Sequence, residues 1–158
     1  MLENCQNREE RWAGVQHLIK TWLAEREELI AIHRSLSEIQ DLSIHNATCL
    51  STLRKLCQIL LDYTSAGHFE VYDQLLTEAQ SYNDGSAALL NQLYPRIAES
   101  TEAFIAFNDS YDTADHCAKA MGKLNNELAK LGEEMATRFR LEDELINALH
   151  QAHSPEPA

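Results

Sequence analysis

The sequence predicts an all-α protein: an antiparallel four-helix-type bundle with about five helices, because one long helix is broken at Ser65–Gly67. Apolar residues recur at three- and four-residue steps through every long segment, the signature of amphipathic helices. Only 5 Gly and 3 Pro interrupt 158 residues, too few for a many-turned sheet protein. No stretch sustains the alternation that a half-buried strand requires.

The first helix is expected over Asn7–Leu36, where Val15, Leu18, Ile19, Trp22, Leu29, Ile32 and Leu36 form one apolar face. Ser37–Asn46 loses this periodicity and reads as a connection, with Ser43 or Asn46 as the start signal for the next helix. The second helix spans Ala47–Thr64, with Leu50, Leu53, Cys57, Leu60 and Leu61 on its stripe. Ser65-Ala66-Gly67 interrupts it, since glycine is costly inside a helix and favourable at its end. Helix resumes near His68 and runs to Tyr82. Asn83-Asp84-Gly85-Ser86 is the strongest turn signal. Ala87–Tyr111 follows, with a kink or restart expected at Pro95. Acidic Asp112–Asp115 then offers caps, Thr113 or Asp115 being the N-cap candidates. One further helix is expected to about Gln151, carrying Met121, Leu124, Leu128, Leu131, Met135, Phe139, Leu145, Ile146 and Leu149. The tail, Ser154–Ala158, is expected to fray.

Charge and composition narrow the function classes. With 13 Lys+Arg against 25 Asp+Glu the formal charge is -12. That disfavours direct binding to nucleic acid, whose affinity comes from basic residues neutralising phosphates. It suits a partner with a basic surface. At 44% hydrophobic the chain can bury a core, and residues 1–158 are expected to form a single domain. No signal peptide and no membrane-length apolar run are visible, and Cys5, Cys49, Cys57 and Cys117 show neither a C-x-x-C pair nor a zinc spacing. The expectation is a cytoplasmic protein with free thiols, Cys57 filling core beside Leu53, Leu56 and Leu60.

No chemistry is expected of it. None of the seven histidines has Asp or Glu three residues before it, so the di-iron bundle pattern is missing. His150 and His153 read as surface groups, and Asp112 with His116 as a pair near a cap. There is no nucleophile elbow and no glycine-rich phosphate loop. The sequence is therefore read as a non-enzyme with no cofactor and no metal. Three polar residues, Arg26, His33 and Glu142, nevertheless fall between apolar stripe positions. They either flank the core, extend their polar tips outward or form one internal ion pair, or else they make a functional polar cluster inside the bundle.

Leu61–Tyr72, LDYTSAGHFEVY, is the most unusual stretch. Asp62, Glu70 and Asp73 surround Tyr63, Phe69 and Tyr72. Aromatics rimmed by carboxylates suit docking onto a basic helical partner; they also suit a packed bundle corner.

This stretch, extended to LDYTSAGHFEVYDQLL, resembles the corresponding segment of the Rsd/AlgQ family of bacterial anti-sigma regulators. The opening MLENCQNREERWAGVQHLIKTWLAEREELI, the segment YPRIAESTEAFIAFNDSYD and the segment LGEEMATRFRLEDELI are similar to that family too, with a leaning toward its pseudomonad members. The resemblance implies an all-helical transcription regulator that binds the C-terminal domain of the primary sigma factor. It would sequester sigma from core RNA polymerase and promoter DNA. In pseudomonads it would be linked to alginate and siderophore production. The family's sigma-contacting positions correspond to Asp62, Ser65 and Phe69, with His68 between them and Tyr72 beyond. Part of the first helix contributes, which adds Trp22, Glu25 and Glu28. Thr64 departs from the apolar residue expected there; if buried, its hydroxyl should bond to a carbonyl one turn earlier. The competing expectation is a helical adaptor for another signalling protein. A metal or haem bundle and direct DNA binding rank lower, and weak self-association through aromatics near Phe69 stays open.

Overall fold

The structure, a computed structural model, describes residues 8–66, 71–82 and 85–152. Among these every regular element is helical: α1 (Arg8–Ser37), α2 (Ala47–Ala66), α3 (Tyr72–Tyr82), α4 (Ser86–Tyr111), α5 (Ala114–Ala120), a 3-10 turn (Met121–Lys123) and α6 (Leu124–Ala152). The four long helices are α1, α2, α4 and α6. α4 packs most extensively on α6 and also on α2, while α1 packs on α2. Short α3 lies against α1, α4 and α6. No helix among the described residues is long and apolar enough to cross a membrane.

Local chemistry explains most boundaries. Asn46, not Ser43, starts α2: its Oδ1 accepts from the backbone N–H groups of Thr48 (3.1 Å) and Cys49 (3.3 Å). Its Nδ2 donates to the Asp41 carbonyl at 2.9 Å, which ties the connection to the cap. Thr113 caps α5, its hydroxyl oxygen accepting from His116 N–H at 3.1 Å. Gly85 precedes α4 at φ 97°, a left-handed conformation that disfavours any Cβ. Asn83 and Asp84 of that turn lie outside the described residues, as do Gly67 and the Ser154–Ala158 tail.

Of the kink or restart expected at Pro95, the restart does not occur: α4 runs through it as one helix. The proline removes the bond that would satisfy the Asn91 carbonyl, and both residues are exposed, so water can replace it. The last segment is not one helix: the 3-10 turn divides α5 from α6. Leu124 N–H bonds to the Met121 carbonyl, one residue short of the α-helical step. The Ala120 carbonyl is instead taken by the Tyr111 hydroxyl, which donates to it at 3.1 Å. That bond comes from α4, and sequence periodicity carries no trace of it.

The core follows the stripes. Leu29 and Leu36 of α1, Leu53, Leu56 and Leu60 of α2, Leu75 of α3, Ile97 and Phe104 of α4, and Leu141, Leu145 and Leu149 of α6 are all buried. Each such side chain stabilises the fold by about 1.5–3 kcal/mol relative to leaving it exposed. Cys49, Cys57 and Cys117 are buried free thiols, and burial pushes the Cys57 thiol up to about 12. Cys5 lies outside the described residues.

Candidate functional site

The end of α2 separates into two faces. Asp62 and Ser65 are exposed, and Leu61 beside them is 43% exposed. Gln58, one turn earlier, donates from Nε2 to Asp62 Oδ1 at 3.1 Å, which steadies the carboxylate without burying it. The opposite face carries Leu60, Tyr63 and Thr64 inward. Thr64 is buried, and its hydroxyl donates to the Leu60 carbonyl at 2.8 Å, as the sequence predicts. His68 and Phe69 lie outside the described residues.

Trp22 and Tyr72 lie in the interior. Both are buried. Trp22 belongs to the apolar stripe of α1 and stacks on Tyr63, ring centroids 5.6 Å apart. Tyr72 meets the Trp22 ring edge-on at 5.7 Å, and its hydroxyl points into the bundle. Glu25 is half-buried and Glu28 exposed, on the stretch of α1 that Arg26 ties to α2 through a 3.3 Å bond to the Tyr63 hydroxyl.

Beneath this corner lies a buried polar network centred on Glu142 of α6. Its Oε1 accepts from the Tyr63 hydroxyl at 2.5 Å and from Arg26 Nη2 at 3.1 Å. Its Oε2 accepts from the Tyr72 hydroxyl at 2.7 Å and from Arg138 Nε at 3.1 Å. Arg138 also donates to the Tyr72 hydroxyl oxygen (3.1 Å) and to Thr101 Oγ1 of α4 (2.7 Å). Arg26 reaches outward to Asp143 Oδ1 at 2.6 Å. Two guanidinium groups thus face two carboxylates, and four helices meet at one carboxyl group, with α4 joined to it through Arg138. Aromatic rings wall it: the Arg138 guanidinium carbon sits 5.2 Å from the Phe104 centroid, and that of Arg26 sits 4.8 Å from Phe139.

Titration follows from this packing. Burial, and then the neighbouring Glu142 charge, hold the Tyr63 and Tyr72 hydroxyls well above the ordinary phenol range. For Arg26 and Arg138 burial opposes the charge, yet Tyr63, Tyr72, Asp143 and Glu142 more than offset it and keep both firmly protonated. Among the described residues no three His, Cys, Asp or Glu side chains cluster as a metal site would need.

Residues 1–150 match the family model described as "Regulator of RNA polymerase sigma(70) subunit, Rsd/AlgQ". The chain belongs to the Rsd/AlgQ family. It is 31% identical over 147 residues to a regulator of sigma D from Yersinia pestis, covering 92% of this chain and 87% of that protein. A regulator of sigma D from Pectobacterium atrosepticum is 31% identical over 159 residues, covering 95% of this chain and 99% of that one. These relatives carry the family assignment. They do not carry the narrower leaning toward pseudomonad members, since they come from Yersinia and Pectobacterium.

In this Rsd/AlgQ chain the structure brings Asp62 and Ser65 to one exposed face and draws Trp22 and Tyr72 beneath it. Of the three interior polar residues, Arg26 and Glu142 form the internal ion pair. His33 stands apart, its Nε2 donating to the Leu128 carbonyl of α6 at 2.8 Å. Sequence reasoning passed over Arg138 and Tyr94. Arg138 follows Met135 by three and precedes Leu141 by three, so its place on the α6 stripe was visible. Tyr94 of α4 is 39% exposed and meets Tyr72 edge-on at 6.3 Å, giving the corner a surface aromatic. Its place at the edge of the apolar stripe, four residues after Leu90 and three before Ile97, was the available signal.

Proposed function

We propose that this protein is an anti-sigma factor that binds the C-terminal domain of the primary sigma factor and keeps it from core RNA polymerase and promoter DNA. The observation that carries this reading is the exposed α2 face, where Asp62 and Ser65 stand at the positions the family resemblance assigns to sigma contact. Charge supports it. A DNA-reading helix-turn-helix is basic on its recognition face, and a chain of net charge -12 is suited to cover it. In this mechanism Asp62 accepts from an Arg or Lys of sigma, Ser65 supports the turn or donates a hydrogen bond, and Leu61 adds apolar contact. Phe69 fills an apolar pocket on the partner, and Glu25 and Glu28 add acidic rim. Trp22 and Tyr72 contribute from below by holding the corner in place.

The protein acts without catalysis, cofactor or direct DNA contact, in the cytoplasm. Its consequence in a pseudomonad setting would be a shift toward alternative sigma factors that serve alginate and siderophore production.

Titration calorimetry against the isolated sigma C-terminal domain, at two salt concentrations, tests the reading. Saturable binding that weakens with salt is expected. Asp62→Ala should weaken it roughly tenfold with helicity unchanged, the loss of one charge-assisted hydrogen bond. A well-folded wild type that fails to bind at micromolar concentration refutes the sigma assignment and favours an adaptor role.

A further inference from the structure

The geometry points to Glu142 as a positioning residue for the sigma-binding corner: from inside the bundle it sets the relative placement of the end of α2 and the start of α3. This inference rests on the proposed function for its consequence in binding. Tyr63 lies one residue from Asp62, on the last turns of α2. Tyr72 is the first residue of α3. Tyr63 thus anchors the end of α2, which carries Asp62 and Ser65, and Tyr72 anchors the start of α3. The two phenols end on the two oxygens of one carboxylate, at 2.5 Å and 2.7 Å. Glu142 itself cannot swing away, because Arg26 of α1 and Arg138 of its own helix grip it from both sides at 3.1 Å. Arg138 is fixed in turn by Thr101 of α4. The corner is thus tethered at both ends to one point, and that point is braced by α1 and α4.

Geometry at the surface follows from the tethers. Retracting Tyr63 inward sets the rotation of α2 that turns Asp62 and Ser65 outward, since residues 62 and 65 lie three apart on one face while 60, 63 and 64 face the core. Tyr72 in turn supports the exposed ring of Tyr94. A partner that contacts the end of α2 meets a preset surface, and presetting raises affinity by reducing what must be ordered on binding.

Tyr63→Phe and Tyr72→Phe cut one tether each while keeping the ring in the core; Glu142→Gln weakens both. Two readouts apply to each variant under conditions where it is fully folded. The first is amide hydrogen exchange, comparing Leu60–Ser65 and Tyr72–Leu76 with the middle of α4 and α6. The second is affinity for the sigma C-terminal domain. The expected result is exchange about tenfold faster at the flanks of the corner, beyond any change in α4 and α6, with affinity reduced about tenfold, as for one lost hydrogen bond. Exchange that rises uniformly across the bundle, or unchanged affinity in a folded variant, overturns the positioning role and leaves the network a purely stabilising one. If the wild type itself does not bind the sigma domain, the proposed function fails, and the exchange comparison alone decides whether Glu142 holds the corner.

Discussion

Glu142→Gln should be among the most damaging nearly isosteric changes in the protein. Glu142 is 0% exposed and accepts four hydrogen bonds, two of them from guanidinium groups. Glutamine keeps one acceptor oxygen but turns the other position into a donor. If that NH2 faces Tyr72 and Arg138, the tyrosine hydroxyl can rotate to accept, while Arg138 Nε–H is left facing another donor. If it faces Tyr63, the same conflict arises with Arg26 Nη2. Either orientation leaves two buried cations beside a neutral group. Removing one partner of a buried ion pair costs about 3–5 kcal/mol, a large share of the roughly 5–15 kcal/mol that holds a domain of this size together. Asp143→Asn is the contrast. Asp143 also pairs with Arg26, at 2.6 Å, but is 54% exposed, so solvent screening limits its loss to about 1 kcal/mol or less. Urea denaturation followed by far-UV circular dichroism measures both, with the slope checked for constancy. The argument is refuted if Glu142→Gln lies within about 1 kcal/mol of the wild type, or if Asp143→Asn costs as much.

Stability should fall in alkali. Tyr63, Tyr72 and Cys57 have folded values raised above their unfolded ones, so the unfolded chain loses these protons first. Their contribution is fully present below about pH 9 and is lost as pH rises from there, by about 1.4 kcal/mol per pH unit for each group titrating only in the unfolded chain. Urea midpoints measured from pH 8 upward should show the decline, shallower in Tyr72→Phe; a flat profile contradicts it. Gly85→Ala should cost about 1 kcal/mol in the same assay, because its φ of 97° strains any Cβ although nothing lies within 4 Å of the added atom. Equal stability would mean that the backbone relaxes to a negative φ.

The helices were legible because burial repeats every three or four residues and little else competes in a chain with so few turn residues. Boundaries set by local side chains, such as Asn46 and Thr113, were legible for the same reason: the capping oxygen lies within three residues of the amide it serves. What the sequence hid depends on distant partners. The break before α6 exists because Tyr111 takes the Ala120 carbonyl. The burial of Trp22 and Tyr72 could not be told from a docking role, because an aromatic side chain on a stripe suits a core and an interface equally. Arg26 and Glu142 were legible as polar residues on apolar stripes. Their pairing was not, since 116 positions separate them. Asp62 was legible as part of a carboxylate rim and Ser65 as part of the helix break, and the family resemblance implied their role; their exposure follows from Tyr63 being drawn inward.

The placement of the network suggests why a bundle rich in leucine keeps ions in its interior. Similar leucines recur about every turn along α2 and α6, so apolar burial alone specifies helix register weakly. A carboxylate that must meet Arg26, Tyr63, Tyr72 and Arg138 together accepts one register only. The hypothesis is that the network specifies a unique arrangement more than it adds stability. A combined Arg26→Met, Arg138→Met, Glu142→Leu variant separates the two roles, because it replaces the ions with apolar groups and orphans no charge. The expected outcome is urea stability equal to or above that of the wild type, together with broadened or multiple amide resonances in nuclear magnetic resonance spectra for α2 and α3. A variant with one sharp, wild-type-like set of resonances would show that the apolar stripes suffice to set the register. A variant that is stable, singly folded and still tight for the sigma domain would remove the network from the binding mechanism as well.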